Sequence, residues 1–141
     1  MWIKIAFVNE QDEIIGSGFK EEAYEKGIFH RIVAIFIFNS HGDLLIQKRT
    51  STVTAPNLWD KSAGGHVDEG EEYLQAAKRE TEEELGVKDI ALKEVGKFFL
   101  KEVSEGRIKN RFHMVYRAHY DWPVNFDQKY VAEIKRLMGW A

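Results

Sequence analysis

The residues best suited to chemistry lie between Gly64 and Val87, in the stretch GGHVDEGEEYLQAAKRETEEELGV. This stretch carries eight acidic residues around one arginine, Arg79. Clustered carboxylate oxygens are hard ligands that suit Mg²⁺ or Mn²⁺. The alternative is that the run is only the solvated face of a helix, which is the usual meaning of a charged helical segment.

The positions of the carboxylates around the predicted helix distinguish these interpretations. The apolar periodicity predicts a helix over residues 71–85. At about 100° per residue, Glu83 and Glu84 fall within about 60° of Glu80, whereas Glu82 points to solvent. A core-facing stripe is expected beside the three carboxylates, formed by Leu74, Ala77, Thr81 and Leu85. Because a charge beside a buried stripe is costly unless it is matched, this arrangement favours a bound cation.

The spacing of these residues resembles the signature of the Nudix (MutT-like) hydrolases, G-x5-E-x7-R-E-U-x-E-E-x-G-U, where U is bulky and aliphatic. Thr81 at the first U position is the only departure, and its methyl group can still pack in the stripe. So many fixed positions make the motif highly specific. The matching residues are Gly65, Glu71, Arg79, Glu80, Glu83, Glu84, Gly86 and Val87.

This resemblance implies an α/β (α+β) fold, a three-layer α/β/α sandwich on a mixed β-sheet, in which residues 64–87 form a loop, a helix and a loop. It also implies hydrolysis of a diphosphate linked to another group, with Mg²⁺ as the cofactor and Mn²⁺ as the alternative ion. Nucleoside diphosphate derivatives are the default substrates, although the loops that choose among them vary within such a family.

Roles follow from the resemblance, position by position. Glu80, Glu83 and Glu84 match the metal-binding glutamates, and the backbone carbonyl of Gly64 would add a ligand. The implied catalytic residues are Arg79, Glu80 and Glu83. Arg79 would orient the catalytic carboxylate, and Glu80 is expected as the general base, although relatives differ in where the base resides. Glu71 would hold the loop against the helix.

Basic side chains outside the signature are candidates for substrate contact. Arg49 ends a predicted strand where many relatives place a phosphate-binding residue, and a guanidinium matches phosphate oxygens at two points. His66, in the signature loop, either packs or contacts the substrate. Lys109 and Arg111 could add to the same pocket. A further catalytic acid is expected outside the signature, and four residues are candidates: Glu102, Glu105, Asp127 and Glu133.

Two other functions were weighed. The segment from Val8 to Glu71 resembles the branch that includes type I isopentenyl-diphosphate isomerases, with a strand that begins at His30. Those isomerases place a catalytic cysteine where this chain has Gly64, and it contains no cysteine. They also carry a Glu-x-Glu pair where Lys109 and Arg111 stand here, which disfavours an isomerase. The third alternative is a catalytically silent nucleotide-binding module, although such modules usually lose one of the signature acids.

Hydrophobic patterning predicts the elements that must position these residues. Residues 50–62 are expected to form a loop, in which Trp59 packs, and residues 104–110 a polar turn. The last stretch, 128–141, is ambiguous and contains a strand beginning near Val131. The remaining predicted elements are a short helix at 20–27 and strands at 2–9, 14–19, 30–39, 44–49, 97–103 and 111–120.

Length and composition bound the rest. The 141 residues, 44% of them hydrophobic, predict a single domain over 1–141, with a hairpin and short helix at 1–29 as an N-terminal extension. A net charge of −3 gives no general attraction to nucleic acid polymers or anionic membranes. The N-terminus lacks a signal-peptide pattern, so a cytoplasmic location is expected. Dimers are common among such relatives, and a homodimer stays an open alternative.

Overall fold

A computed structural model describes residues 3–50, 58–121 and 123–138. In this part of the chain nine strands form one mixed sheet and two helices pack on it. Neither helix is long and apolar enough to cross a membrane. In chain order the elements are β1 (Ile5–Val8), β2 (Ile14–Gly18), α1 (Lys20–Lys26), β3 (His30–Phe38), β4 (Leu44–Arg49), β5 (Trp59–Asp60), β6 (Ala63–His66), α2 (Tyr73–Leu85), β7 (Lys93–Ser104), β8 (Arg107–His119) and β9 (Val131–Leu137).

Strand β3 is the centre of the sheet. It pairs in parallel with β8 along its whole length, from His30↔Arg111 to Phe38↔His119. On its other side it pairs antiparallel with β6, from Ile32↔His66 to Ile35↔Ala63. Neighbours on both sides, and layers above and below, explain why nearly all of this strand is apolar.

The two helices cover opposite faces of β3. Val33, Ile35 and Ile37 share one core cluster with Leu85 of α2. Because successive side chains of a strand point to opposite faces, His30 lies on the other face, where its ring centroid is 5.5 Å from that of Tyr24 in α1. The predicted α/β/α arrangement on a mixed sheet is therefore confirmed, as is the hairpin of β1 and β2 before α1.

Helix α2 begins two residues later than predicted, at Tyr73, with a capping box between Glu72 and Gln75. Ala77, Thr81 and Leu85 are fully buried, as the predicted stripe requires. The placement of Leu74 in this stripe is wrong, because its side chain is 42% exposed. Leu74 lies in the first helical turn, where the neighbouring Tyr73 packs against the core instead.

The β7–β8 hairpin is longer than the pattern indicated. Residues 104–110 were expected to form a polar turn, but the turn consists of Glu105 and Gly106, both with positive φ (52° and 76°). The polar residues beside it continue the strands, because Ser104 pairs with Arg107 and Glu102 with Lys109. Tertiary pairing therefore overrides a local composition that is typical of loops.

Several shorter elements also differ from the sequence expectation. Residues 58–62 of the predicted loop contain β5, and Trp59, expected to pack there, is 41% exposed beneath the ammonium group of Lys135. Residues 51–57 of that loop lie outside the described residues. Strand β6 has the sequence AGGH, which lacks a strand pattern. The strand expected near Val131 is confirmed as β9, which pairs with β4.

A buried carboxylate joins four elements beside the sheet. Asp12, in the turn between β1 and β2, accepts hydrogen bonds from Arg31 Nε (2.7 Å), Lys97 Nζ (2.8 Å) and the Tyr73 hydroxyl (2.8 Å). Burial by itself would raise the pKa of Asp12, but these hydrogen bonds hold it below its ordinary value. The N-terminal hairpin is thereby fixed to β3, β7 and α2.

We expect Asp12→Asn to lower the free energy of unfolding by about 3 kcal/mol, because Arg31 and Lys97 would keep their charges without the carboxylate that matches them. Asparagine tolerates the positive φ of 61° at this position, so backbone strain does not contribute. The measurement is guanidinium-induced unfolding, with Glu10→Gln, an exposed carboxylate in the same turn, as the control. Equal stability of the two variants would contradict the role assigned to Asp12.

Candidate active site

A cavity of about 870 Å³ opens beside the sheet, and α1, α2 and β8 all contribute side chains to it. Its floor includes Ile32 and Ala34 of β3, and α1 contributes Tyr24 to one side. The walls differ in charge. The acidic wall comes from the signature and contains Asp68, Glu80, Glu83 and Glu84, whereas the basic wall comes from β8 and contains Lys109 and Arg111 beside His113.

Two glycines let the helix and the sheet approach closely at the acidic wall. A Cβ atom on Gly65 would overlap the carboxylate of Glu80. A Cβ atom on Gly64 would lie 2.6 Å from the backbone oxygen of Val33, far inside van der Waals contact. Gly65 is therefore needed because Glu80 of α2 lies directly on β6, whereas Gly64 is needed for the close approach of β6 to β3.

Glu84 is an acid held inside the protein. It is 7% exposed and accepts a hydrogen bond of 2.6 Å from the side-chain amide of Gln47. Burial, followed by the adjacent Glu80, raises the pKa of Glu84 well above its ordinary value, although a hydrogen bond from the Gly64 N–H opposes this shift. Two carboxyl groups thus lie within hydrogen-bonding reach of each other in a poorly solvated position.

Arg79 connects the helix to the loop that precedes it. Its guanidinium donates to Glu71 through Nε (2.7 Å) and Nη2 (2.9 Å), and to the His66 carbonyl (3.1 Å). It also donates to Glu80 and, at 3.3 Å, to Glu83. Burial alone would lower the pKa of Arg79, but the surrounding carboxylates raise it. The contacts of Glu71, which also accepts from the Asp68 N–H, agree with the structural role inferred for it.

The chemistry of the acidic wall fits a hard divalent cation. Its carboxylates are oxygen ligands of the kind that Mg²⁺ and Mn²⁺ prefer, and the proximity of Glu80 to Glu84 is unfavourable unless a positive charge or a proton relieves it. Among residues 3–50, 58–121 and 123–138, no three acidic or histidine side chains converge closely enough to hold an ion. Here Arg79 supplies the positive charge at Glu80 and Glu83.

His66 lines the cavity, and His30 packs against it. The rings of His30 and His66 stack with centroids 5.5 Å apart, and His66 Nε2 is 2.9 Å from the Tyr24 hydroxyl. His30 is fully buried, with Nδ1 2.9 Å from the Ile28 carbonyl. Burial lowers the pKa of His30 to about 4, and it does the same for His113 on β8. Both rings are therefore neutral at neutral pH.

The other candidates from the sequence divide into two groups. Arg49 lines the cavity beside Asp60, at 3.5 Å, and so do His66, Lys109 and Arg111. The four candidate extra acids do not line the cavity as the described residues define it: Glu102, Glu105, Asp127 and Glu133. Glu102 instead pairs with Arg111 at 3.0 Å.

Sequence reasoning missed Tyr24, Lys61 and His113, which also line the cavity. The first belongs to an element that carries no recognisable signature. His113 could have been found from alternation along its strand, because Lys109, Arg111 and His113 share one face at a spacing of two. Lys61 lies within the segment that was predicted to be a loop.

The lowered pKa values of His30, His66 and His113 give the fold a pH dependence with a definite sign. Since the unfolded chain takes up protons near pH 6.5 and the folded chain only near pH 4, stability is complete above pH 6.5 and falls as the pH drops towards 4. Each histidine contributes a slope of about 1.4 kcal/mol per pH unit. We expect His30→Gln to remove one such contribution in chemical unfolding between pH 7.5 and 4.5.

The slope, not the absolute stability, is the readout in this comparison. Burial raises the pKa of Asp68 to about 6. Asp68 therefore changes the stability with pH in the direction opposite to the histidines, and it does so in the wild type and in His30→Gln alike. His41→Gln, at an exposed turn, is the control and should keep the wild-type slope. A wild-type slope in His30→Gln would show that His30 takes up its proton equally in the folded and unfolded states.

Comparison with known proteins places this geometry in a family. The NUDIX domain family matches residues 28–139. An uncharacterized Nudix hydrolase of Pseudomonas aeruginosa is 41% identical over 133 residues, which cover 93% of this chain and 76% of that protein. The uncharacterized Nudix hydrolase YfcD of Escherichia coli is 35% identical over 102 residues, 72% of this chain and 56% of YfcD, so this chain aligns with little more than half of that relative.

A third relative carries another name. Isopentenyl-diphosphate Delta-isomerase 2 of Photorhabdus laumondii is 34% identical over 119 residues, which cover 83% of this chain and 67% of the isomerase. The resemblance to the isomerase branch is therefore present in sequence, even though Gly64 occupies the position of the expected cysteine.

Solved structures agree with the fold. Protein DR0079 of Deinococcus radiodurans superposes with a TM-score of 0.79 at 27% identity, covering 96% of this chain and 83% of that one. The NUDIX domain of Shewanella oneidensis NrtR, solved with ADP ribose, superposes with a TM-score of 0.62 at 18% identity, covering 77% of this chain and 72% of that one. The sequence match and the shared fold together show that this chain belongs to the Nudix hydrolase family.

Proposed function

We propose that this chain is a metal-dependent hydrolase that cleaves the diphosphate linkage of a nucleoside diphosphate derivative or a similar organic diphosphate. The observation that carries the proposal is the meeting of Glu80, Glu83 and Glu84 at one wall of a cavity whose other wall is cationic. Such a cavity suits a ligand whose phosphates are neutralised from both sides.

Nudix hydrolases generally use divalent metal ions, and in this proposal the ion is Mg²⁺, with Mn²⁺ as the alternative. Glu80, Glu83 and Glu84 would hold it together with the backbone carbonyl of Gly64. When bound, such an ion neutralises charge on phosphate oxygens and lowers the pKa of water. The ion would replace part of the contact that Arg79 makes with Glu80 and Glu83. The two hydrogen bonds from Arg79 to Glu71 would keep the guanidinium in place.

Glu80 is the proposed general base. A water oxygen attacks phosphorus, the bond to the leaving phosphate oxygen breaks, and the proton of the water passes to the Glu80 carboxylate. Arg79 donates to this carboxylate and would orient it, because the guanidinium is itself held by Glu71 and the His66 carbonyl. Glu83, which is 45% exposed at its side chain, would complete the catalytic set.

Substrate contact is assigned to Arg49 and His66. Both line the cavity, and Arg49 is near enough to Asp60, at 3.5 Å, to be held in position without being buried. A nucleotide is the favoured substrate class, which is consistent with the ADP ribose in the structure of the NrtR domain. A cytoplasmic location is the accompanying expectation from the sequence, and a homodimer is an open alternative.

One observation favours a second candidate, an enzyme similar to the isopentenyl-diphosphate isomerases. A relative with that name is 34% identical, and His30 and His66 stack at the cavity. Against it, Gly64 stands where a cysteine is expected, and Lys109 and Arg111 stand where the acids of the isomerases are expected. We therefore keep isomerisation as an outcome to be measured beside hydrolysis, together with silent nucleotide binding.

Metal binding should stabilise the folded protein, and the size of this stabilisation should depend on the carboxylates of α2. At an ion concentration about 100 times the Kd, Mg²⁺ or Mn²⁺ should raise the free energy of unfolding by about 2.7 kcal/mol. We expect Glu84→Gln to be at least as stable as the wild type without metal, since the repulsion from Glu80 is relieved, but to gain less from the ion. Thermal unfolding with the ion and with a chelator measures both quantities.

The matched control is Glu82→Gln, which removes a carboxylate from the same helix on its solvent side. It should keep the full metal-induced shift. An equal shift in Glu82→Gln and Glu84→Gln would contradict the proposed ligand set.

Hydrolysis itself is tested by a phosphate-release screen over nucleoside diphosphate derivatives with Mg²⁺ or Mn²⁺, with isopentenyl diphosphate included and its isomer measured. Glu80→Gln should lower kcat by about 100-fold or more, the usual loss when a general base is removed. Glu82→Gln should retain activity. Nucleotide binding without turnover would indicate the silent module, and isomer formation without phosphate release would indicate the isomerase.

A further inference from the structure

The basic wall of the cavity is separated from the signature by the central strand. One row of residues crosses the sheet from His66 on β6, through Ile32 on β3, to His113 on β8. Two strand spacings lie between β6 and β8, a backbone separation of roughly 10 Å. Arg111 and Lys109 follow on the same face of β8, further from α2. The proposed hydrolytic chemistry at α2 does not use these three side chains of β8.

Some of their polar atoms have no protein partner among the described residues. Among residues 3–50, 58–121 and 123–138, Lys109 takes part in none of the ion pairs, and its ammonium group lies 5.6 Å from the ring centroid of Tyr24. Arg111 donates to Glu102 through Nη2 at 3.0 Å, but its Nε is buried without an acceptor. His113 is 9% exposed, and its Nε2 is likewise buried without a partner. Buried polar atoms of this kind are normally satisfied, so Arg111 Nε and His113 Nε2 are available to a ligand or to a water molecule.

The charge of this wall favours an anion. Lys109, Arg111 and the nearby Arg107, whose guanidinium lies 5.3 Å from the Tyr24 ring centroid, outnumber the nearby carboxylates of Glu102 and Glu21. Lys109 and Arg111 are two residues apart on one face of β8, and the pKa of Lys109 is lowered by burial and next by the positive charge of Arg111. Like charges held together in this way are relieved by an anion between them.

The neighbouring His30 does not belong to this group. Its Nδ1 lies 2.9 Å from the Ile28 carbonyl and must donate to it, so the neutral ring leaves Nε2 as an acceptor. An acceptor cannot hold an anion. His113 has no such fixed tautomer, because its Nδ1 makes no hydrogen bond within the described chain, and either nitrogen can carry the donor.

We infer that Lys109, Arg111 and His113 form an anion subsite that holds phosphate oxygens of the substrate away from the bond that is cleaved. This subsite deepens the proposed function and rests on it for the identity of the ligand as a substrate. The substrate is then an organic diphosphate with a further anionic group within reach of β8. That group is either the distal part of the reacting polyphosphate chain or a separate phosphate ester on the organic moiety.

The test uses inorganic phosphate as the probe, in the presence of a chelator so that no metal can bring phosphate to the glutamates. Binding is followed by isothermal titration and by the ring nitrogen signals of His113 in NMR spectra. We expect phosphate to shift these signals in the wild type. Lys109→Gln and Arg111→Gln should each raise the Kd about tenfold or more, which corresponds to about 1.4 kcal/mol.

Two controls separate charge at this wall from charge in general. Lys101→Gln, on the exposed strand β7 and outside the cavity lining, should bind phosphate as the wild type does. Arg111→Lys keeps the positive charge and should bind more tightly than Arg111→Gln. No change of the His113 signals, or the same Kd for Lys109→Gln, Arg111→Gln and Lys101→Gln, would overturn the proposal.

Failure of the subsite and failure of the proposed function are distinguishable. Glu80→Gln should abolish hydrolysis but keep phosphate binding in the chelator. If phosphate binds at β8 and no diphosphate is hydrolysed with any metal, the subsite stands and the hydrolase does not. If hydrolysis depends on Glu80 and phosphate binding does not change in Lys109→Gln and Arg111→Gln, the hydrolase stands and the subsite does not.

The source of the anion is decided by competition. Methylenediphosphonate with Mg²⁺, a diphosphate that cannot be hydrolysed, is used to saturate the acidic wall before phosphate is titrated. Phosphate that still binds with an Arg111-dependent Kd assigns the subsite to a separate phosphate ester. Displacement of phosphate by methylenediphosphonate, with Arg111→Gln weakening both ligands, assigns it to the reacting chain.

Discussion

The attraction between one guanidinium and the carboxylates around it is the interaction on which the rest of the site depends. Arg79 is fixed from below by Glu71 and the His66 carbonyl, so the signature loop and α2 form one unit. Above it lie Glu80 and Glu83, which would otherwise repel each other beside the buried Glu84. A lysine could supply the positive charge but not these hydrogen bonds, because only the guanidinium has several N–H donors in fixed directions.

The sheet provides the complementary constraint. Strand β3 holds β6 on one side and β8 on the other, so the same apolar ribbon sets the distance between the acidic and the basic walls. Ile32 and Ala34 contribute no charge of their own, which keeps the two walls electrostatically distinct. The organic part of a ligand can therefore rest on an apolar floor while its phosphates contact the walls, as is usual for pockets with few convergent polar groups.

The features that could be predicted from the sequence are those that depend on the local periodicity of a helix or strand. The helical sector of Glu80, Glu83 and Glu84, the Gly86 end of α2 and the alternation in β3 all follow from local periodicity. The features that the sequence did not predict are set by tertiary partners. Strand β6 exists because β3 pairs with it, Leu74 is exposed because the neighbouring Tyr73 packs at the helix start, and the β7–β8 turn is short because polar residues pair across it.

The candidate site shows the same division. The acidic wall could be read from spacing within 24 consecutive positions, 64–87. The position of the basic wall could not, because Lys109, Arg111 and His113 of β8 are brought to the signature only by the order of the strands. The sequence identified Arg49, Lys109 and Arg111 as candidates for substrate contact. Their distance from the glutamates could not be predicted, because it depends on the register of the sheet.

The parallel pairing of β3 with β8 also has a kinetic consequence. His30 and Arg111, which stand opposite each other, are joined by roughly eighty residues of chain, so the loop that their contact closes is among the entropically expensive ones in the molecule. Hairpins such as β7–β8 and the helix α2 involve only local contacts and can form early, whereas non-local pairing is slow. We therefore expect the two charged walls to form separately and to align only when β3 pairs with β8. Among the described residues β7 pairs only with β8, so its other edge stays open in the folded sheet, and its lysines, Lys93, Lys97 and Lys101, are the kind of charged residue that discourages pairing with a second chain.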